Sequence, residues 1–253
     1  MKMLAEIELF EKKYVLDLSK PNDISLSLQN GEENVNCFWA PPVDISPVRA
    51  GDFIGSVELG GPVNFVNIHF NPHGNGTHTE CVGHISREKF TINQSLRQFH
   101  FLAKLVTVTP EKTADGDRVI FKKHLEKQVG PGECEAVIIR TLPNGHEKRL
   151  AKYSGTNPPY FHHEATLYLA NCGLNHLLTD LPSVDREEDG GRLLAHKAWW
   201  NYPGPTVRSA ATITELIFVK NEIQDGLYLL NLQIAPIEAD ASPSKPVIYS
   251  CFV

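Results

Sequence analysis

The chain has 253 residues, of which 42% are apolar and 21% are charged, the proportions of an ordinary soluble globular protein. Its formal charge of −6, without clusters of Lys and Arg, argues against nucleic-acid binding, and no apolar run reaches the roughly eighteen residues that a membrane span needs. The N-terminal segment carries acids within its apolar run, which a signal peptide does not. The five cysteines are far apart and form no CxxC pair, so we expect no disulfide framework and a reducing, cytoplasmic compartment.

Strand signals outnumber helix signals about three to one along the chain. Residues 3–10 fit either a short strand or a helix, and the Pro- and Asn-rich segment 31–50 predicts a long loop. Predicted strands are 14–19, 24–28, 53–59, 63–70, 102–108, 136–141, 174–180, 211–219, 227–236 and 247–253. Predicted helices are 95–101, 163–173 and 193–200. No linker or repeat divides the chain, so we expect one mixed α/β or α+β domain over residues 1–253.

Metal-ligand side chains are concentrated between His73 and His84. Within this stretch His78, Glu80 and His84 are separated by two and by four positions, which places them on one face of an extended chain. Three glycines in the same stretch disfavour a helix. The pattern therefore predicts a strand that runs into a bend and presents a face suited to zinc, manganese or iron. The alternative is a polar loop with exposed histidines.

Three further residues each have two interpretations. Cys81 falls on the opposite side from His78 and Glu80, so we expect it to face the core rather than to act as a ligand or nucleophile. His196 lies in an apolar, helix-like segment and is either a core histidine or a ligand. Glu215 lies in an apolar strand, where a carboxylate is costly unless a Lys, an Arg or a metal ion pairs with it.

Several matches in the same order resemble the cyclase-like metal hydrolases, which include the bacterial kynurenine formamidases and the isatin hydrolases. Residues 76–84 stand in the register of the family's Gly-Thr-His-x-Asp-x-Pro-x-His motif. Residues 14–19 resemble its opening Asp-Leu-Ser strand, and 179–185 resemble its Asp-x-Pro-Ser-Val-Asp segment. Residues 194–198 and 213–216 resemble its later His segment and its Glu-bearing strand. The resemblance implies a strand-rich, swivelling β/β/α-type cyclase-like fold and a homodimer or homotetramer.

The resemblance also implies one or two divalent ions per chain, zinc or alternatively manganese. The ligands that it implies are His73, His78 and Glu80 for the first ion, and Glu80, His196 and Glu215 for the second. His84, the last histidine of the motif, would be the catalytic acid/base.

Three departures from the family pattern bear on this assignment. Glu80 replaces the usual Asp and is one methylene longer, and Val82 replaces Pro, which loosens the bend. The family's first histidine corresponds to Gly74, whereas His73 stands one residue earlier. A bulge at 74–76 would return His73 to the metal, since Gly permits positive φ. The segment 201–205 is inserted relative to simple family members.

These residues predict a metal-dependent hydrolase of a carbon–nitrogen amide bond, in which activated water attacks a carbonyl and His84 passes the proton to the leaving nitrogen. The resemblance favours an arylformamidase (kynurenine formamidase)-like activity and hence tryptophan catabolism. Candidate aromatic residues for binding a small aryl amide are Phe38, Trp39 and either Trp199 or Trp200. The alternatives are isatin hydrolase-like opening of a lactam or lactone, and a metal-binding family member without activity.

Overall fold

The computed structural model describes residues 2–252 and contains 17 strands and five short helices. The strands are β1 (Leu4–Leu9), β2 (Lys12–Asp17), β3 (Asn22–Asp23), β4 (Asp44–Pro47), β5 (Arg49–Ala50), β6 (Phe53–Ile54), β7 (Val66–His69), β8 (His78–Glu80), β9 (His100–Val108), β10 (Glu111–Lys112), β11 (Arg118–Ile120), β12 (Ala136–Thr141), β13 (Tyr160–Phe161), β14 (His176–Thr179), β15 (Thr212–Glu215), β16 (Gly226–Ile234) and β17 (Ala241–Ser250). The helices are α1 (Pro72–Asn75), α2 (Ile92–Ser95), α3 (Lys122–Leu125), α4 (His163–Asn171) and α5 (Leu194–Trp200), with 3₁₀ turns at Val82–His84 and His146–Leu150. Within residues 2–252, no helix has the length and apolar character required to cross a membrane.

Seven of these strands close into a barrel. The ring runs β16, β9, β12, β14, β15, β8 and β17, and the pairing of β16 with β17 completes it. Strands β9, β12, β14 and β15 are parallel to one another, whereas β8, β17 and β16 run antiparallel to their neighbours. Closure leaves the ring without a free edge. The predicted strand-rich, mixed α/β architecture is confirmed.

Side chains of the barrel strands alternate between two apolar cores. In β9, Ala103 and Leu105 lie in the interior core, whereas Leu102 and Val106 lie in the outer core. Helices α4 and α5 cover the outer core, where Trp199 is fully buried. Every residue of β12 is buried, because this strand is covered on both faces.

The same alternation decides which side chains of β8 face the outside of the barrel. Cys81, the residue after β8, is fully buried in the interior core, so the prediction that it faces the core is confirmed. His78 and Glu80 therefore point outward, toward helix α5, where Glu80 meets His196. All five cysteines are free thiols, and four of them are buried.

Two predicted strands were wrong in part, for identifiable reasons. Residues 24–28 are extended but belong to no strand of the described chain. Their backbone groups instead bond outside a ladder, since Leu26 N–H donates to Thr77 Oγ1 and Phe218 N–H donates to Ile24 C=O. The strand predicted at 211–219 ends at Glu215, because the next residue, Leu216, has a left-handed φ of 56°.

Other boundaries moved as well. The strand predicted at 53–59 is reduced to β6, because the chain folds back and Phe65 N–H donates to the Gly55 carbonyl. The helix predicted at 95–101 lies earlier, at α2, since β9 already begins at His100. The last predicted strand, 247–253, begins earlier, at Ala241; its final residue lies outside the described residues.

A buried histidine, His176, begins β14 at the amino-terminal end of the parallel strands. Its Nδ1 lies 2.9 Å from Thr212 Oγ1, and its ring lies 3.9 Å from the ring of Phe101. Burial, together with the charge of Arg208, lowers its pKa to about 3. Since the pKa of an unfolded-state histidine is about 6.5, only the unfolded chain binds a proton between these two values.

We therefore expect the contribution of His176 to the free energy of unfolding to be present above pH 6.5 and to be lost as the pH falls. Between pH 7 and pH 5 this loss amounts to about 2 kcal/mol, since each pH unit below the unfolded-state pKa costs about 1.4 kcal/mol. Urea unfolding at both pH values measures the free energy of unfolding of the wild type and of His176→Gln. Between pH 7 and pH 5, this free energy should fall by about 2 kcal/mol less in the variant than in the wild type. An equal pH dependence in the two proteins would contradict the assignment.

Candidate metal centre

The ligand-rich motif of the sequence lies where β8 meets helix α5 on the outside of the barrel. β8 runs antiparallel to β15, and their register sets His78 opposite Glu215. The side chains of this pair meet, with His78 Nε2 3.4 Å from Glu215 Oε2. Helix α5 contributes His196, whose Nε2 lies 3.2 Å from Glu80 Oε1. The structure thus brings four of the predicted ligands together.

His73 reaches the same place from the one-turn helix α1 rather than from the predicted bulge. The side chain of Asn71 caps this helix by accepting a hydrogen bond from Gly74 N–H. Any side chain at Gly74 would collide with Ala40, so glycine lets the preceding loop pack tightly against the helix. His73 Nδ1 then lies 3.2 Å from Glu80 Oε2. Its displacement by one residue therefore does not remove it from the centre.

The rings of His73, His78 and His196 are each anchored through one nitrogen. The acceptors are the Gly76 carbonyl for His78 (3.0 Å), Asp185 for His196 (2.6 Å) and Asp240 for His73 (2.9 Å). The opposite nitrogen of each ring lies 3.2 to 3.4 Å from a carboxylate of the centre. Histidines that bind metals are held in this way, with one nitrogen donating to an oxygen and the other left for the ion.

Four buried atoms at the centre have no hydrogen-bond partner among the described residues: His78 Nε2, His196 Nε2 and both carboxylate oxygens of Glu80. They lie within salt-bridge distance of their neighbours but are not oriented to bond them. A buried carboxylate without partners is costly, by several kcal/mol. Atoms that converge in this way fit a shared cation, and imidazole with carboxylate oxygen fits zinc or manganese.

The potential ligand atoms form three overlapping groups, each with all its atoms within 4.8 Å of one another. The groups are His73–His78–Glu80, Glu80–His84–His196 and His73–His84–Asp240. Glu80 belongs to the first two groups, so its carboxylate lies where they meet; that it bridges two ions stays a prediction.

Glu215 lies beside these groups rather than within them. Its Oε2 approaches His78, and its Oε1 accepts a hydrogen bond from Val184 N–H at 3.0 Å. The structure therefore pairs Glu215 with His78, while its charge also helps to raise the pKa of His196, with which the resemblance would have it share an ion. Within residues 2–252, no Lys or Arg forms an ion pair with Glu215, so the salt-bridge alternative has no counterpart. Its role as a ligand stays a prediction.

His84 lies on the open side of the centre, at the end of the 3₁₀ turn Val82–His84. Its side chain is 31% exposed, with Nδ1 3.3 Å from Asp240 Oδ2 and 3.8 Å from Glu80 Oε2. The turn requires Gly83, because a side chain there would collide with the carbonyl of Phe90. This position suits a group that exchanges protons with a substrate above the centre, which stays a prediction.

The electrostatics of the centre favour positive charge. Burial opposes the charged forms of His73 and His196, but the neighbouring carboxylates outweigh it and raise the pKa of each to about 10. Burial likewise opposes ionisation of Glu80, yet the surrounding imidazoles, His84 first, lower its pKa well below the usual value. Hydrogen bonds from His73 and His84 lower the pKa of Asp240. The carboxylates of the centre therefore favour the charged imidazoles of His73 and His196 in spite of their burial.

Asp185 and Asp240 were missed as functional residues by sequence reasoning. Asp185 also accepts hydrogen bonds from the N–H groups of Ala195 and His196, so it caps helix α5 while it orients His196. Its place in the matched segment 179–185, nine residues before helix α5 begins, was a usable signal. Asp240 offered none, because 167 residues separate it from the His73 ring that it holds.

Comparison with known proteins places these observations in a family. Residues 16–186 match the family model Cyclase, described as "Putative cyclase", and none of the curated proteins matches the chain. A structure described as a potential metal-dependent hydrolase with cyclase activity aligns with a TM-score of 0.64 at 15% identity, over 91% of this chain and 97% of its own. A predicted metal-dependent hydrolase from Bacillus stearothermophilus gives 0.61 at 17% identity, over 91% and 98%.

An isatin hydrolase bound to the product analogue thioisatinate gives a TM-score of 0.63 at 13% identity, over 92% of this chain and 93% of its own. Identities this low establish a shared fold only, and they confirm the cyclase-like fold expected from the sequence. The family match covers more than half of the chain and includes the end of the opening strand, the histidine motif and Asp185. The chain therefore belongs to the putative cyclase family.

Proposed function

We propose that this chain is a metal-dependent hydrolase of a carbon–nitrogen amide bond, with an arylformamidase (kynurenine formamidase)-like activity. The observation that carries the proposal is the convergence of His78 Nε2, His196 Nε2 and both Glu80 oxygens, all buried and without hydrogen-bond partners. A zinc or manganese ion held there, singly or as a pair, supplies an activated water and polarises a carbonyl.

The chain's own residues divide the remaining work. The proposed ligands are His73, His78, Glu80, His196 and Glu215. Asp185 and Asp240 orient two of the histidines, which fixes the nitrogen that each presents. His84, on the open side, takes a proton from the attacking water and returns it to the leaving nitrogen.

The aromatic loop beside α1 supports an aryl substrate. Phe38 and Trp39 are consecutive residues with left-handed φ angles of 56° and 51°, a strained conformation for side chains of this size, and both are exposed. The loop is held against α1, since Cys37 N–H donates to the Gly74 carbonyl at 2.9 Å. An exposed aromatic pair next to the helix of His73 suits a planar ring bound above the centre.

Trp199 and Trp200 do not belong to that wall, so their prediction as substrate contacts was wrong. Both are fully buried in the outer core. Trp200 Nε1 donates to the Ala211 carbonyl, and its ring stacks on His196 with centroids 5.5 Å apart. Trp200 thus supports a proposed ligand, and Trp199 is part of the core.

Opening of a lactam or lactone ring is the second candidate, because one structure that shares this fold is an isatin hydrolase bound to a product analogue. Both reactions need the same activated water and the same proton transfer. The third candidate is a metal-binding protein without activity, which the departures at Glu80 and His73 favour. The position of His73 weighs against this third candidate. Its Nδ1 lies 3.2 Å from Glu80 Oε2, so the ligand group His73–His78–Glu80 is complete.

Turnover by the metal-free and the reloaded protein tests these three candidates. The protein is stripped with a chelator, reloaded with zinc or manganese, and assayed with N-formylkynurenine, isatin and an aryl lactone. We expect metal-dependent hydrolysis that is fastest for N-formylkynurenine. Faster hydrolysis of isatin or the lactone would select the second candidate, and bound metal without any hydrolysis would select the third.

The proposal extends to the setting of the protein. We place it in tryptophan catabolism in the cytoplasm, and four buried free thiols suit such a reducing compartment. We also propose that residues 1–253 act as one hydrolase domain and that the chain assembles as a homodimer or homotetramer.

A further inference from the structure

Residues 201–206 form a tight turn directly after helix α5. Asn201 ends the helix with a left-handed φ of 52°, and its side-chain Nδ2 closes the turn by donating to the Thr206 carbonyl at 2.8 Å. Tyr202 N–H donates to the Lys197 carbonyl at 3.0 Å. The backbone of Tyr202 is therefore fixed to the carboxyl end of helix α5.

The hydroxyl group of Tyr202 joins this turn to a loop about 115 residues earlier in the chain. It accepts a hydrogen bond from Arg87 N–H at 2.9 Å and donates one to Glu88 Oε2 at 3.0 Å. The ring of Tyr202 is half-buried against the outer core, and so are Ile85 and Phe90 on either side of the bonded residues. Tyr202 thus connects two segments that are distant in sequence.

Residues 85–90, here named the His84 loop, depend on this connection. Within residues 2–252, the hydrogen bonds that join the last four residues of the loop to other segments all involve Tyr202. The first two N–H groups of the loop donate to the Val82 carbonyl and so close the 3₁₀ turn of His84. Such a turn has poor hydrogen-bond geometry and is short. It is therefore held from outside, by strand β8 before it and by the loop after it.

The position of the His84 ring follows the position of this turn. The side chain is 31% exposed, and its Nδ1 bonds only Asp240, at 3.3 Å, so the backbone beneath the ring does much to place it. Proton transfer needs the imidazole within hydrogen-bond reach of the reacting group, and a small displacement costs rate. Helix α5 carries His196, whose ring centroid lies 5.5 Å from that of His84. Tyr202 thus ties the turn of His84 to the helix of a proposed ligand.

We propose that Tyr202 is a positioning residue for His84, because its hydroxyl holds the His84 loop on helix α5 and so sets where the imidazole lies above the centre. The hydroxyl bonds Arg87 and Glu88 and none of the proposed ligands, so it acts through the loop. This inference rests on the proposed function, in which His84 carries a proton. The connection itself does not depend on hydrolysis, so it can also be measured without a substrate.

Tyr202→Phe keeps the ring in the outer core and removes both hydrogen bonds of the hydroxyl. We expect kcat to fall by roughly tenfold, with KM and metal content unchanged, because the imidazole is displaced while the ligands are not. Steady-state kinetics on the substrate that the metal-loaded wild type hydrolyses fastest measure this effect. The matched control is Tyr168→Phe, which should keep the wild-type kcat. Tyr168 is likewise half-buried against the outer core, and its hydroxyl donates to the Val129 carbonyl at 2.7 Å, away from the His84 loop.

Combination with His84→Ala distinguishes positioning from a general loss of structure. If Tyr202 acts through His84, Tyr202→Phe should change kcat by less than about twofold in a protein that already carries His84→Ala. A role in overall structure would instead cost roughly the same tenfold with and without the imidazole. That additive result would overturn the proposal.

Hydrogen exchange of the backbone amides tests the connection without a substrate. The amides of Ile85 and Ser86, which close the turn of His84, should exchange at least roughly tenfold faster in Tyr202→Phe and at the wild-type rate in Tyr168→Phe. Unchanged exchange in Tyr202→Phe, or equal acceleration in the control, would overturn the proposal. The expected exchange pattern in a wild type that hydrolyses none of the substrates would support the anchoring of His84 by Tyr202 and count only against the proposed hydrolysis.

Circular dichroism shows whether each variant is folded. If Tyr202→Phe does not fold, Glu88→Ala replaces it, since Glu88 is exposed and its loss removes one of the two hydrogen bonds of the hydroxyl. We expect Glu88→Ala to lower kcat by roughly threefold and to accelerate exchange at the same two amides. Wild-type kcat and wild-type exchange in folded Glu88→Ala would contradict the proposal.

Discussion

Glu80→Gln is expected to leave the protein without its metal and to lower amide hydrolysis by at least roughly 1,000-fold, because a metal ion contributes several kcal/mol to such a reaction and each 1.4 kcal/mol is tenfold in rate. Glu80 is shared by two of the three ligand groups, and both of its oxygens are buried without a hydrogen-bond partner. Glutamine keeps the shape but removes the charge that attracts the ion. Elemental analysis after dialysis and kcat/KM on N-formylkynurenine measure the two effects.

The matched control is Glu135→Gln, beside a barrel strand that lies three positions from β8 in the ring. Glu135 directly precedes β12, and its carboxylate accepts a hydrogen bond from Leu102 N–H. This substitution also removes one carboxylate next to a barrel strand, but it should retain metal and activity. If Glu80→Gln retained as much metal as Glu135→Gln, Glu80 would not be a ligand, and it could not bridge two ions.

The parts of the centre that follow from local periodicity were predictable from sequence. An extended chain alternates its side chains, so His78 and Glu80 had to share a face while Cys81 took the other, as the structure shows. The strand at 136–141 followed equally from its run of four apolar residues, and the structure has β12 with these bounds. These features need no knowledge of distant residues.

The meeting of Glu80 with His196 depends on barrel closure and on the position of helix α5. No local pattern contains that information, and only the resemblance to a known family paired these residues. Asp240 shows the limit most clearly, since a single acid in a loop before β17 has no local feature that links it to His73 and His84.

Backbone details were less predictable because competing local solutions have similar free energies. Gly74 permits the bulge that the sequence suggested, but Asn71 and Pro72 favour a one-turn helix, and the structure has the helix. The strand predicted at 63–70 is a related case. Only Val66–His69 forms a strand, because its length is set by pairing with β4, which lies about twenty residues earlier in the chain.

His84→Ala is expected to lower kcat by about 10²- to 10⁴-fold, the usual contribution of a general acid/base, while the metal content stays near that of the wild type. The geometry makes this a demanding prediction, because His84 belongs to two of the ligand groups. Its Nδ1 lies 3.3 Å from Asp240 and 3.8 Å from Glu80, and the side chain is 31% exposed. Removal of a metal ligand would release the ion, whereas removal of a proton carrier would leave the ion bound. Metal analysis and steady-state kinetics on the same preparation distinguish the two roles.

Added imidazole sharpens the distinction. Because the side chain of His84 is partly open to solvent, small imidazole can enter the space that His84→Ala vacates and restore part of the proton transfer. His100→Ala is the control, since His100 is an exposed histidine at the start of β9 that bonds Asn231, and its loss should change neither kcat nor the response to imidazole. Loss of metal from His84→Ala would make His84 a ligand. If His84→Ala kept both its metal content and the wild-type kcat, another group on the open side would carry the proton. Asp240, which lies between His73 and His84, is placed to do so.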